Sequence, residues 1–230
     1  MNGVGVVAAL EAEARAWGPA VRRRDGLSVL GDGTLLAVSG MGAALATSAA
    51  RSLADAGVGA LMSFGLAGGL DPVLAAGSIV LPSEVICRDG TRFPTSAEWR
   101  GQLALAIGKH HTVVTGTLLS SGAPIGAVAA KSAAFRDTGA VAVDMESAGV
   151  AQIAAACHLP FIAVRVIVDT AMDALPRAVV AAGRGGQVSI PRLIAGLAAA
   201  PRDFPAMIRL ARRYRAATRS LAAVAGARAA

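Results

Sequence analysis

Cysteine is almost missing from this chain: Cys87 and Cys157 are the only two in 230 residues. Neither has the neighbours of a metal site, and two scattered thiols make no disulfide framework, so reduced cysteines in a cytoplasmic protein are expected. No run reaches the roughly 18 uninterrupted apolar residues of a membrane span, because Gly, Arg, Asp or Ser keeps interrupting. The first residues, MNGVGVVAALEAEAR, carry acids early and no basic segment, and a signal peptide is not expected. Charge is scarce as well, at 16% against 54% apolar residues, a balance that excludes disorder and suits one large α/β domain. From Pro201 onward seven arginines face one acid, Asp203, so nearly all of the +7 formal charge lies in the tail. The body therefore lacks a basic face, which argues against nucleic-acid binding.

What is present is an alternation of short apolar runs and helical stretches. Residues 3–9 read as a buried strand that ends in Leu10-Glu11-Ala12-Glu13, the start of a short helix. Two short strands over 27–38 flank Gly31-Asp32-Gly33, and Ser39-Gly40-Met41-Gly42 leads into a helix reaching Ala56. A strand over 61–64 precedes Gly65-Leu66-Ala67-Gly68-Gly69, read as a turn or as a place where something approaches the backbone closely. Further strands are expected over 78–86, 111–119, 140–143 and 161–168, with helices over 97–107, 127–135 and 147–157. Such alternation predicts a mostly parallel sheet covered by helices on both faces, with ligands gathering beyond the carboxyl ends of its strands.

The candidates for chemistry sit at such strand ends. Asp144 and Glu146 interrupt an apolar run where strand passes to helix, with Glu146 expected in the first turn. One reading is a capping residue plus a first-turn acid favoured by the helix dipole; the other is a ligand-binding carboxylate. Glu13 and Asp169 also follow predicted strands, and three carboxylates without a Cys/His cluster suggest acid and base work on an organic substrate. His110 and His111 read as solvated loop residues, Ser120 and Ser121 lack a nucleophile-elbow context, and the Gly65 segment lacks a phosphate loop's Gly-Lys-Ser/Thr ending.

Six segments in order then resemble the superfamily of purine nucleoside phosphorylases and methylthioadenosine/S-adenosylhomocysteine nucleosidases. They are Ala9-Leu10-Glu11-Ala12-Glu13, Ser39-Gly40-Met41-Gly42, Gly65-Leu66-Ala67-Gly68-Gly69-Leu70, Ala76-Gly77-Ser78-Ile79-Val80, Val143-Asp144-Met145-Glu146-Ser147 and Val164-Arg165-Val166-Ile167-Val168-Asp169. The resemblance implies a three-layer α/β/α nucleoside phosphorylase-like fold on a mixed, mostly parallel, curved sheet. Catalytic residues would be Asp169, as the acid at purine N7, and Glu13, as the base for water. Glu146 would grip the ribose hydroxyls and Met145 would pack beneath the sugar, while Leu66, Ala67, Gly68, Ile125 and Val143 would line the substrate pocket. Arg165 would either orient the neighbouring acids or touch substrate.

No metal or cofactor is implied, and phosphate is a co-substrate only if the reaction is phosphorolytic. The carboxylate of Glu13, with Leu66 and Ser63 where phosphorolytic relatives are more polar or basic, favours hydrolysis; Arg15 or a neighbouring subunit's arginine is the route to a phosphate site. Pro124 stands where an aromatic commonly stacks on the purine, and the segment between Asp89 and Glu98 is short, leaving room beyond the 5′ carbon.

The division expected is a catalytic domain over 1–200 and a basic amphipathic helix over 201–230. That helix spaces Met207, Leu210, Ala211, Tyr214, Thr218, Leu221 and Val224 three and four apart. It either packs on the domain with solvated arginines or rests on the anionic inner face of a membrane. Together with the short middle segment, the tail resembles the hopanoid-associated members of the superfamily. This implies release of adenine from adenosylhopane to give ribosyl-hopane, the other readings being phosphorolysis, methylthioadenosine/S-adenosylhomocysteine hydrolysis, or nucleoside binding without catalysis. A small-molecule adenosyl nucleoside, lipid-linked in the first reading, is the expected partner, and a homo-oligomer is expected by the same resemblance.

Overall fold

A computed structural model describes residues 3–108, 111–175 and 204–227. Its centre is β5 (Ala60–Gly69), a ten-residue strand with three neighbours. Its first half lies between β1 (Val4–Ala8) and β12 (Phe161–Asp169), parallel to both. Its last two residues leave β1 and pair antiparallel with Ala142 and Val143 of β11 (Ala140–Asp144). A strand that changes partners along its length bends the sheet around itself, which is the source of the curvature.

From β1 the sheet continues through β4 (Leu35–Val38), β3 (Leu27–Val29) and β2 (Arg22–Arg24). From β11 it continues through β10 (Thr117–Ser120), β7 (Glu84–Cys87) and β8 (Arg92–Pro94). Two short strands, β6 (Ile79–Val80) and β9 (Val113–Val114), extend it from β12. The central ladders are parallel and the outer hairpins antiparallel, giving the mixed sheet expected.

The period of two along β12 assigns the layers. Phe161, Ala163 and Ile167 pack with α2 (Ala43–Asp55) and α5 (Ser147–Ala156). Ile162, Val164 and Val166 pack on the other face, with α3 (Ala97–Ile107) and α6 (Phe204–Ala227). Small residues let α2 and α5 approach closely: a Cβ on Gly149 would stand 2.3 Å from the Ala43 carbonyl oxygen. A third cluster joins Leu119, Ile125 and Val143 to α4 (Val128–Thr138).

Several expectations change. The Gly65 segment is not a turn: it is the second half of β5, and Gly65, Gly68 and Gly69 have ordinary φ values. The single strands expected over 78–86 and 111–119 are each two short strands, the first interrupted at Pro82, which has no N–H for a ladder. Strands β2 and β8 went unpredicted, because Arg22–Arg24 is exposed and neither carries an apolar alternation. In α6 Leu221 and Val224 are buried as expected, but Ala217, Ser220 and Ala225 complete the face while Ala211 is exposed. The burial of Met207, and the segment 176–203, lie outside the described residues.

Candidate active site

At the end of β1 the chain turns directly into α1 (Glu11–Ala14), which carries Glu13 back over the strand end. Its carboxylate is 4% exposed. Oε2 accepts hydrogen bonds from the Ala9 and Leu10 N–H groups, both at 3.0 Å, and Oε1 accepts one from Leu66 at 2.9 Å. This contact explains Gly65, where a Cβ would stand 2.7 Å from Oε1. The glycine is there for close approach, not for an unusual dihedral. Burial pushes the Glu13 pKa up, against the N–H groups and the Arg165 charge, which favour the ionised form.

The junction of β11 and α5 divides its two acids between two jobs. Asp144 takes the capping role: its Oδ2 accepts the Ser147 N–H at 3.0 Å and the Arg165 Nε at 2.8 Å. Glu146 sits at the N-cap position, one residue before the first turn expected for it. Its side chain reaches across to accept the Gly42 N–H at 2.7 Å, and its other oxygen accepts the Met145 N–H at 3.2 Å. Burial and then the nearby Asp144 charge raise its pKa to about 7.

Arg165 is wholly internal and does not border the cavity described below. Besides Asp144 it donates to Ser63 Oγ at 2.6 Å, Ser147 Oγ at 3.0 Å and the Val164 carbonyl at 3.0 Å. It orients acids and is not placed to touch a ligand. Ser63 is fully buried in this network and does not border the cavity. Arg15 is likewise outside the cavity lining.

Asp169 ends β12 and is 4% exposed. Its Oδ2 accepts from the ammonium of Lys131, a fully buried residue of α4. Burial raises the Asp169 pKa, while the Lys131 charge and hydrogen bond pull it down. Lys131 escaped the sequence reading. The available signal was compositional: the chain has only two lysines, Lys109 and Lys131, among 22 basic residues, and one of them lies within an alanine-rich helix.

All nine expected site residues border one cavity. Glu13, Glu146 and Asp169 border it, as does Asp144, the carboxylate paired with Arg165. Met145, Val143 and the Leu66, Ala67 and Gly68 segment form one wall. Ala123, Pro124 and Ile125, from the loop after β10, form another, while Leu10, Met41 and Leu175 add apolar surface. No lysine, arginine or histidine is among the described lining residues. A larger cavity of about 810 Å³ adjoins this one across Pro124 and Ile125, bordered by Arg88, Arg92 and small residues of α4. It contains none of the three clustered carboxylates.

Ser120 and Ser121 hold the loop together: Ser120 Oγ accepts the Ala148 N–H at 3.2 Å, and Ser121 Oγ donates to the Ala123 carbonyl at 2.8 Å. His111 is partly exposed and outside the cavity, and His110 lies outside the described residues. Among the described residues no cluster of three or more His, Cys, Asp or Glu side chains is arranged to hold a metal ion. No described helix is long and apolar enough to cross a membrane.

Solved structures of several nucleosidases share this architecture. The Neisseria meningitidis 5′-methylthioadenosine/S-adenosylhomocysteine nucleosidase, in complex with methylthio-immucillin-A, superposes with a TM-score of 0.73 at 19% identity, over 97% of this chain and 96% of that one. Futalosine hydrolase from Helicobacter pylori gives 0.71 at 17% identity, over 97% of each chain. The Helicobacter pylori methylthioadenosine/S-adenosylhomocysteine nucleosidase gives 0.70 at 16%, again over 97% of each. At these identities the likeness establishes the fold. No match was found among curated protein sequences. Residues 27–185 match the model of the Phosphorylase superfamily, and with well over half of the sequence inside that match the chain belongs to this superfamily.

Proposed function

We propose that the protein hydrolyses the N-glycosidic bond of an adenosyl nucleoside and releases adenine. The observation that carries this reading is the placement of Glu13, Glu146 and Asp169, three buried carboxylates besides the Arg165-paired Asp144, around one cavity that has no cationic side chain among its described lining residues. In the proposed reaction Asp169 donates a proton to purine N7 as the C1′–N9 bond breaks, and the bond's electron pair leaves with the base. Glu146 accepts hydrogen bonds from the vicinal ribose hydroxyls, and Met145 packs beneath the sugar. Glu13 takes a proton from water while the water oxygen bonds to C1′, completing a hydrolysis that needs only these side chains and water.

Phosphate is disfavoured as the nucleophile. Each close pairing of its charge with an ionised carboxylate costs about 1 to 4 kcal/mol, depending on local screening, and no described lining residue offsets this. The base is read as adenine because the Asp169 carboxylate left once its proton has passed to N7 can accept from an exocyclic amino group, whereas a 6-oxo group offers it no hydrogen.

Beyond the 5′ carbon we propose a bulky apolar substituent, with adenosylhopane as the substrate and ribosyl-hopane as the product. Support comes from the sequence resemblance and from the apolar surface of Leu10, Met41 and Leu175 beside the carboxylates. The exposed arginines of α6, Arg209, Arg212, Arg215 and Arg219, support contact with an anionic membrane surface carrying such a lipid.

The test is adenine release from methylthioadenosine, S-adenosylhomocysteine, adenosine and an adenosyl lipid, each with and without phosphate. Full rates without phosphate and a preference for the lipid are expected. A strict phosphate requirement with a ribose 1-phosphate product would overturn hydrolysis, and preference for the soluble thioethers would overturn the lipid assignment. Asp169→Asn is expected to slow adenine release about 100-fold or more; full activity in that variant would remove Asp169 as the acid.

A further inference from the structure

Lys131 lies on α4, a helix whose other expected contribution is packing, yet it is 0% exposed and carries a charge. Its ammonium donates to Asp169 Oδ2, to the Thr170 carbonyl at 2.8 Å and to the Asp173 carbonyl at 3.0 Å. An ammonium has three hydrogens, and three acceptors use them all. Such a group is costly to bury, and one carbonyl tie would be supplied more cheaply by serine or asparagine. What only a cation supplies here is a fixed positive charge on one oxygen of Asp169. With Oδ2 taken, Oδ1 is the carboxyl oxygen left for a ligand. Lys131 itself does not border the cavity.

We propose that Lys131 is the positioning residue for departure of the base, holding the Asp169 carboxyl through Oδ2 so that Oδ1 meets the purine. The inference rests on the reading of Asp169 as the acid. A carboxyl free to rotate about its last bond meets N7 in only part of its orientations; one pinned at Oδ2 is prepaid for the transfer. The same contact keeps the acid strong enough to release its proton. Burial alone leaves a carboxylic acid that holds its proton too tightly, and the adjacent ammonium opposes this.

Among the described residues the charged groups around Asp169 are few. Lys131 faces it from α4, and Arg213 of α6 acts on it from further away while paired with Asp173 in the following loop. Asp173 is itself held by the Thr170 N–H at 2.9 Å and hydroxyl at 2.6 Å. Glu13, Glu146 and Asp144 lie across the cavity. With Lys131 removed, Arg213 is the one cation among the described residues that still lowers the pKa of Asp169, so the carboxyl keeps its proton to higher pH.

The experiment compares the wild type with Lys131→Gln and Lys131→Arg on the adenosyl nucleoside hydrolysed best, following kcat and KM across pH. Glutamine keeps two amide hydrogens for the Thr170 and Asp173 carbonyls, so the loop stays tied while the charge is lost; thermal melting checks that the variant folds. Expected for Lys131→Gln are a kcat lower by about 100-fold, a KM within about threefold, and an alkaline limb of kcat displaced upward by about one pH unit or more. Arginine keeps the charge and is expected to leave the limb in place. A limb unmoved in Lys131→Gln, or displaced equally in both variants, overturns the inference, as does a kcat that stays at the wild-type value. Asp169→Asn separates the role of the acid from that of Lys131. If it keeps full activity the acid assignment fails; if it is inactive while Lys131→Gln behaves as wild type, only the role of Lys131 fails.

Discussion

Glu146 provides the sharpest quantitative test of the ribose clamp, because its pKa of about 7 lies within the working range of most assays. Diol hydroxyls donate to the carboxylate and not to its protonated oxygen, so a ribose binds the ionised form preferentially. Affinity is therefore full above the pKa of the empty site and falls as pH drops through it. With a pKa of about 7, the ionised fraction is about 0.9 near pH 8 and about 0.03 near pH 5.5. The dissociation constant should then rise about 30-fold between those pH values, equivalent to about 2 kcal/mol. The assay is titration calorimetry with a C-nucleoside analogue of adenosine, whose carbon–carbon link to the base cannot be hydrolysed. Glu13 and Asp169 also titrate, so Glu146→Gln is the control: whatever slope they contribute survives in it. That variant should bind about 10- to 100-fold more weakly near pH 8, through loss of charge-assisted hydrogen bonds, and with a much flatter pH dependence. A wild-type constant that does not change between the two pH values, or a glutamine variant with the same slope, would refute the reasoning.

Three further outcomes are expected. Arg165→Met strands the buried Asp144 carboxylate and should cost about 3 to 5 kcal/mol, seen as a lower midpoint in denaturant unfolding; adding Asp144→Asn should recover part of this, and a single variant as stable as wild type would contradict the network. Gly65→Ala places a methyl 2.7 Å from Glu13 Oε1 and should reduce kcat by about tenfold or more while the protein remains folded; an unchanged rate would show that the position of that carboxylate is not critical. Replacing Arg209, Arg212, Arg215 and Arg219 together by Gln should lower partitioning onto anionic liposomes without changing turnover of a soluble nucleoside, and equal partitioning would remove the membrane reading. Deleting the helix is the wrong experiment for that question. Leu221 and Val224 are buried in the core, and losing such side chains costs about 2 to 5 kcal/mol each.

The carboxylates were legible because their signal is local. An acid that breaks an apolar run marks a strand end, and strand ends of a largely parallel sheet are where ligands gather. Glu13, Glu146 and Asp169 each satisfied that rule without reference to one another. The glycines of residues 65–69 were legible only in part, for the opposite reason. Of the two readings, turn or close approach, the second holds at Gly65, but what approaches it is a carboxylate more than fifty positions away in sequence, pressed against a continuous strand, which local reading cannot name. Lys131 was illegible because its partner lies on another element, 38 residues further on. Its side chain stands in an alanine-rich helix where neither charge pairing nor apolar period announces burial.

The sequence by itself therefore determined the layered α/β architecture and the placement of three acids at strand ends, since both follow from short-range periodicity. Tertiary structure alone decided how those acids behave. It assigned Asp144 to the helix cap and Arg165, and turned Glu146 toward Gly42. It also took the charged C-terminal segment's Leu221 and Val224 into the core. Above all it set burial against Lys131 at Asp169, because desolvation and charge act through space and the chain must close around a carboxylate before either has a value.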